Sequence, residues 1–536
     1  MDTKKLILYA ALGIVCISIY SAWQKDYGYN AEVIAANVNA PSDNKVMAEV
    51  VDETSVPSNI PAGRIINVHT DTLEVSIDTR GGSIIEAKLP KYPANIKDKT
   101  IPIKILSNDS ENLYIAQSDF LGLNNNQPLN YKASQENYVL QPGVETLEVN
   151  LIWSDNRIKV IKTLKFTKGS YAVNVDYKVT NLTKSPINTQ VFTQIKRKEP
   201  KQKSSFFGLH TYDGPAISSA DKAYEKIDYS KMKDTNLNRD IEGGWIAMQQ
   251  RYFLSAWVPA QDKSHHYYSN VADQIYTIGM ITPFNLSPNS ESMLGVKLYV
   301  GPEIAENLTQ LNKTLKLTID YGWLWMISVA IFWVMQQIYN LIGNWGVAII
   351  LVTVLIKGLF WKLSDASYRS SAKMRSLAPK MAMLKERYGE DRRKLSQATM
   401  ELYKSEKINP VGGCLPMLIQ IPVFIGLYYV LAESVQLHQA PFTLWITDLS
   451  AKDPYYVLPV LMGLSMFLQQ KLNPAPTDPA QAKMFMLMPI VFTILFASFP
   501  SGLVLYWFIN NVISVLQQWY AIYKYEHRPV HHKKKR

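Results

Sequence analysis

Five long, largely apolar stretches of this chain carry no Asp, Glu, Lys or Arg: residues 6–24, 321–356, 408–432, 454–470 and 484–523. An α-helix needs ~20 apolar residues to cross ~30 Å of hydrocarbon, so these stretches dictate a polytopic α-helical membrane protein. They also explain a charged fraction of 19% beside an apolar fraction of 47%, a balance that argues against a simple soluble enzyme. The first stretch follows Lys4 and Lys5 and reads as a signal peptide or an uncleaved signal anchor; with no small-residue cleavage pattern close behind, the anchor over 1–24 is the favoured reading. The second spans 36 residues, too long for one crossing, and Gly343-Asn344-Trp345-Gly346 supplies a break. Before that break Gln336, Gln337, Asn340 and Asn344 form a polar stripe opposite Trp325, Ile331, Phe332 and Met335, as in a helix lying in the membrane interface over 321–344. The third stretch contains Pro410, Pro416 and Pro422, which neighbouring helices can accommodate. The fourth is just long enough to cross, and the fifth, 40 residues long, turns at Phe499-Pro500-Ser501-Gly502 into a helical hairpin.

The net charge of +11 is distributed unevenly: +6 over 362–416 and +5 over 524–536, against −1 over 25–320 and −2 over 433–453. Lys and Arg flanking spans are retained on the cytoplasmic side. Six spans with both termini inside keep every positive segment cytoplasmic and both negative ones outside, whereas seven would export the +6 loop. The surplus therefore orients the membrane core, and no DNA-binding surface is expected. Cys16 and Cys414 are the only cysteines, so neither a disulfide framework nor a Cys-rich metal site can be built.

Between the first two apolar stretches lies a large exported segment. Residues 25–62 show no helical or strand period and read as a tether. From about Arg64 period-two alternation takes over: Tyr171, Val173, Val175, Tyr177 and Val179 alternate with polar neighbours, and similar runs recur over 72–78, 145–153, 157–166, 191–195, 271–281 and 293–300. A two-sheet β-sandwich over 63–320 is expected, with 199–244 as an irregular surface excursion. Ile304, Leu308, Leu311 and Leu315 predict a helix after Pro302. His69, His210, His265 and His266 have no spacing that pairs them with particular carboxylates, which gives an enzymatic role here little support.

The segment Lys407-Ile408-Asn409-Pro410-Val411-Gly412-Gly413-Cys414-Leu415-Pro416-Met417-Leu418-Ile419-Gln420-Ile421-Pro422, with Phe424 and Tyr428-Tyr429, closely resembles the YidC/Oxa/Alb family of bacterial membrane protein insertases. So do Asn344-Trp345-Gly346, Ala372-Lys373-Met374-Arg375, Ala440-Pro441-Phe442, Leu444-Trp445, Asp453-Pro454-Tyr455-Tyr456 and Phe499-Pro500-Ser501-Gly502-Leu503. The resemblance is specific over about 320–523 and extends in layout to the exported domain of Gram-negative members. It implies a periplasmic β-supersandwich, an interfacial helix, a cytoplasmic helical hairpin over 364–408, and five spans over 345–523 around a hydrophilic groove in the inner membrane. It further implies a protein that is not an enzyme, needs no cofactor, and inserts and folds nascent membrane proteins alone or beside the Sec translocon. A secondary transporter and a membrane-tethered sugar-binding protein are the rival readings. The spans show no internal repeat, which counts against the transporter.

Lys357 is the sole charge between Tyr321 and Trp361 and lies about eleven residues into its span. A charge at such depth costs at least ~2.5 kcal/mol, so it is expected to face protein or trapped water, the alternative being a lysine that snorkels to the surface. The resemblance implies Arg at this position; Lys keeps the positive charge and loses the bidentate fork. Thr353, one turn earlier, shares its face. Gln420, Asn510, Asn511, Gln517 and Gln518 could line a hydrated surface or bond between helices. By resemblance Thr353 and Gln420 belong to the groove, and Tyr506 and Trp507 match an aromatic pair that contacts the passing segment. Met462, Met466, Met484, Met486 and Met488 suit a surface that accepts varied apolar segments, or simply face lipid. Lys385, Arg387, Arg392 and Arg393 cluster about Gly389, a solvated turn that the resemblance makes a site of contact with substrate or ribosome. The tail His527 to Arg536 could touch ribosomal RNA or anionic membrane lipid, or act as a topology signal; metal binding is not expected.

Overall fold

The computed structural model describes residues 63–96, 98–124, 127–200, 212–389, 391–406, 415–473 and 479–526. The anchor over 1–24, the tether over 25–62, residues 407–414 of the long motif, and the tail from His527 lie outside the described residues. Two compact units divide the chain, one ending at Ile319 and the other beginning at Asp320.

The first unit is a β-sandwich. One sheet has ten strands, in spatial order Asn238–Glu242, Ser264–Ala272, Ile275–Leu286, Ile187–Lys198, Tyr114–Leu121, Ser83–Pro93, Glu74–Asp78, Ile65–His69 and Asn137–Val139, with Pro102–Leu106 beside Ser83–Pro93. The other has nine: Glu225–Lys226, Gly214–Ser218, Trp245–Gln250, Phe253–Val258, Glu291–Pro302, Ala172–Asn181, Ile158–Thr167, Thr146–Ser154 and Lys132–Ala133. The alternation read from sequence is the alternation of burial: along Ala172–Asn181, Val173, Val175, Tyr177 and Val179 are buried and Asp176 between them is exposed. The sheets join through polar as well as apolar contacts. The Trp257 indole donates to the Gln194 carbonyl at 3.1 Å, and the fully buried Lys162 ammonium donates to the carbonyls of Gly81, Gly82 and Ser118 at 3.0, 2.9 and 2.6 Å.

Three expectations need correction in this unit. The 199–244 segment is not merely an excursion: its described part contributes Gly214–Ser218 and Glu225–Lys226 to one sheet, Asn238–Glu242 to the other, and the short helix α1, Tyr229–Asp234. Every residue of Gly214–Ser218 is buried, so the strand shows no alternation to read. The 271–281 run is two strands, because Asp273 and Gln274 turn at φ 50° and 64°. The helix after Pro302 is shorter than expected. It covers Ala305–Leu311 (α2), stops where Asn312 is extended, and resumes as a 3₁₀ turn at Leu315–Thr318.

The second unit is helical: α3 Trp325–Ile342, α4 Trp345–Leu359, α5 Trp361–Ser376, α6 Ala378–Tyr388, α7 Arg392–Ser405, α8 Leu415–Glu433, α9 Val457–Leu472, α10 Pro479–Phe496 and α11 Ser501–Glu526. Among the described residues α3 is the one straight helix that meets both the length and the apolarity needed to cross a membrane; α4 and α5 meet them together but are bent by 68°. On α3, Ile331 and Met335 face the core while Gln337 and Asn340 are exposed, as the stripe predicts; Trp325 is exposed rather than packed with them.

The sequence motifs explain the corners of this unit. Gly343 ends α3 at φ 72°, where a side chain would be strained, and the Asn344 side chain then accepts from Val347 N at 3.1 Å to cap α4 while donating to the Phe442 carbonyl at 2.9 Å. A Cβ on Gly346 would stand 2.0 Å from the Phe442 ring, so only glycine lets that loop close. Asp453, buried at 1% exposure, accepts from the Trp445 indole at 3.0 Å and from the backbone of Tyr455 and Leu458 at 3.0 and 2.7 Å, which fastens the α8–α9 loop to the start of α9.

Candidate functional site

The core of the helical unit changes character along its length. Around the start of α4, the end of α8 and the start of α11 it is apolar, built from Trp345, Ile349, Val352, Leu427, Leu431, Leu503 and Val504. Further along α11, between Asn510 and Gln518, the buried residues are Asn510, Asn511, Ser514, Gln517 and Gln518, all polar and recurring at the three- and four-residue spacing of one helical face. Each neighbour meets this face with a polar group of its own. From α4 comes Lys357, 3% exposed, whose Nζ donates to Ser514 Oγ at 2.6 Å. From α8, Gln420 Oε1 accepts from Asn510 Nδ2 at 3.2 Å, and from α9, Ser465 Oγ accepts from Asn511 Nδ2 at 3.2 Å. Gln518 Nε2 reaches the Leu472 carbonyl and Asn473 Oδ1 at 3.1 and 2.9 Å, while the buried carbonyl oxygens of Gln517 and Gln518 find no partner among the described residues. Between α5 and α11 lies a shallow cleft, with room of only about 10 Å³, lined by Trp361, Ser364, Asp365, Tyr368, Gln517 and Tyr520.

The structure thus brings Lys357 and Gln420 into one chain of polar contacts, Lys357–Ser514–Asn510–Gln420, across three helices. Thr353 is fully buried on the same helix, but its hydroxyl is turned back on the Ile349 carbonyl at 2.6 Å. Tyr506 is buried in the apolar core, and Trp507, half-buried, packs edge-on against Phe424 with ring centroids 4.8 Å apart. The Trp507 indole nitrogen has no acceptor among the described residues. Of the methionines, Met462 is fully buried, whereas Met484 and Met486 are exposed beside Ile490, Val491 and Ile494 on α10.

Lys385, Arg387 and Arg393 are exposed about the turn between α6 and α7; the Arg392 side chain lies outside the described residues. Asp391 caps α7 by accepting from Arg393 N and Lys394 N at 3.1 and 3.0 Å, and Lys380 pairs with Glu406 at 2.5 Å to hold the two helices together. Two residues escaped the sequence reading: Ser514, the partner of Lys357, and Ser465. The sequence does carry a signal for Ser514, which falls on the same helical face as Asn510, Asn511, Gln517 and Gln518.

The sequence matches the family model described as "60Kd inner membrane protein" over residues 337–528 and that described as "YidC periplasmic domain" over residues 65–334. A membrane protein insertase YidC from Coxiella burnetii is 44% identical over 98% of this chain and 97% of its own length. The chain belongs to the YidC family of membrane protein insertases. Another YidC, from Legionella pneumophila, is 46% identical over 98% of each chain. Among solved structures, an active YidC insertase with its first transmembrane domain resolved aligns over 86% of this chain and 93% of its own, at 17% identity and a TM-score of 0.41. The YidC matches cover the β-sandwich as a periplasmic domain and the helical unit as an inner membrane protein. They lend no support to the transporter or the sugar-binding alternative.

Proposed function

We propose that this YidC-family insertase moves the polar tail of a nascent membrane protein through the polar end of its helical unit while the apolar segment slides along α8 and α10. The observation that carries this reading is Lys357. Its ammonium is buried, yet its partner among the described residues is one neutral hydroxyl and no carboxylate. A buried cation without a counter-charge is destabilising, so its retention argues for a use, and an acidic residue of a passing tail supplies the missing charge. The polar face of α11 offers that tail substitutes for water, and exposed Met484 and Met486 on α10 can repack around varied apolar segments.

Six spans with both termini cytoplasmic fit the charge distribution, with α3 in the outer interface and α6–α7 as a cytoplasmic hairpin. The short helices favour a thinned bilayer. At 1.5 Å per residue α4 and α9 reach only ~22–24 Å, short of the ~30 Å of hydrocarbon, and a thinner barrier lowers the cost of carrying polar groups across. The Sec translocon and the ribosome are natural partners for a chain that receives nascent segments, and the cations about the α6–α7 turn face the side from which those segments arrive.

The test uses cells depleted of their own insertase and supplied with Lys357→Ala, Lys357→Glu or the unchanged protein, scoring export of a reporter's acidic N-terminal tail. Export should fall with Ala and fall further with Glu. Normal export by both variants would falsify the positive-groove mechanism.

A further inference from the structure

We infer that Ser514 is a positioning residue for Lys357: it holds the ammonium against α11 in the resting protein and yields it to the carboxylate of an incoming tail. The inference rests on the reading of Lys357 given above.

The geometry fixes the direction of the contact. A serine hydroxyl has one proton, and that of Ser514 is committed to the Asn510 carbonyl one turn back, at 2.7 Å. Its lone pairs are thereby left to accept, and Lys357 Nζ donates into them at 2.6 Å. The Tyr368 phenol makes a further polar contact with the same serine. Asn510 is in turn tied to α8 through Gln420 at 3.2 Å, so the acceptor is anchored in the bundle. Lysine is a point charge on a flexible four-carbon stem, and without an acceptor at this depth it would swing toward the headgroups past Trp361 and Lys362. A neutral hydroxyl is a weaker partner than a carboxylate, so an acidic residue entering the groove can take the ammonium over without breaking a buried ion pair.

The experiment compares two reporters that differ only in the tail, one with acidic residues and one with the matching amides, in cells that depend on the variant insertase. Ser514→Ala should lower export of the acidic tail about tenfold, the worth of a hydrogen bond to a charged group, and leave the amide tail within about twofold. Ser514→Thr, which keeps the hydroxyl, should restore the acidic tail. In a Lys357→Ala background Ser514→Ala should change nothing further, because a residue that acts through another has no effect once that other is gone. Equal losses for both tails, or additive losses in the double variant, would show a structural role and overturn the inference. If Lys357→Ala discriminates between the tails and Ser514→Ala does not, the inference alone fails; if Lys357→Ala does not discriminate, the reading beneath it fails as well.

Discussion

Two buried lysines in this chain set a standard for each other. Lys162 in the β-sandwich, 1% exposed, donates to three carbonyls and to the Ser118 hydroxyl at 3.1 Å, with Asp119 close enough to interact with its charge. That is how a structural buried cation is normally accommodated. Lys357 has one hydroxyl among the described residues, and that contrast is what supports the role proposed for it. His265 shows the same contrast for histidine. It is buried, hydrogen-bonded to Thr282 and the Ala260 carbonyl, and burial depresses its imidazole below the usual 6.5, so it reads as a core residue of the sandwich rather than an acid or base. Because the folded value lies below the unfolded one, the unfolded chain takes up this proton first as pH falls. The stability His265 preserves is present above 6.5 and is lost as pH drops through the lower folded value. Thermal unfolding of the purified protein between about pH 8 and about pH 5 should show an acid limb, and His265→Asn should make it shallower; an unchanged slope would assign that limb to other groups.

Helix ends are where this sequence is most explicit about its structure. Asn344-Trp345-Gly346 and Phe499-Pro500-Ser501-Gly502 were legible as breaks because glycine and proline act locally, without reference to the rest of the fold. What was not legible is that Asn344 also holds the Phe442 carbonyl, a contact across 98 residues. Asn344→Ala should therefore cost more than a cap alone, roughly 1–2 kcal/mol for the cap plus the orphaned carbonyl, read as a lowered unfolding temperature in detergent. Gly346→Leu should be worse, since Phe442 occupies the space a side chain needs; a Leu variant as stable as the parent would mean the loop swings away freely. Strands followed the same logic. Where one face was buried the alternation showed, and where Gly214–Ser218 was buried on both faces it did not. Ser514 went unremarked for a related reason: a serine in an apolar helix is as often a back-bonded spectator as a partner, and only the rotation of α11 about its axis shows which.

At the scale of the molecule, the polar chain that links Lys357 to Gln420 lies wholly within the helical unit, while the β-sandwich encloses a core of its own. Removing residues 65–300 while keeping residues 1–64 should leave insertion of a simple single-span reporter largely intact in cells lacking their own insertase. Loss of insertion by a variant that still accumulates in the membrane would move part of the mechanism into the sandwich. The division into a β-sandwich and a helical region was readable without a structure, because period-two alternation and long uncharged runs are each enforced by the surroundings: a half-buried sheet face and an apolar medium. Those forces act on short stretches of chain, so a short stretch records them. Which hydroxyl receives the Lys357 ammonium is set by the mutual rotation and depth of α4 and α11, whose partners are 157 residues apart, and that is decided only when the helices pack.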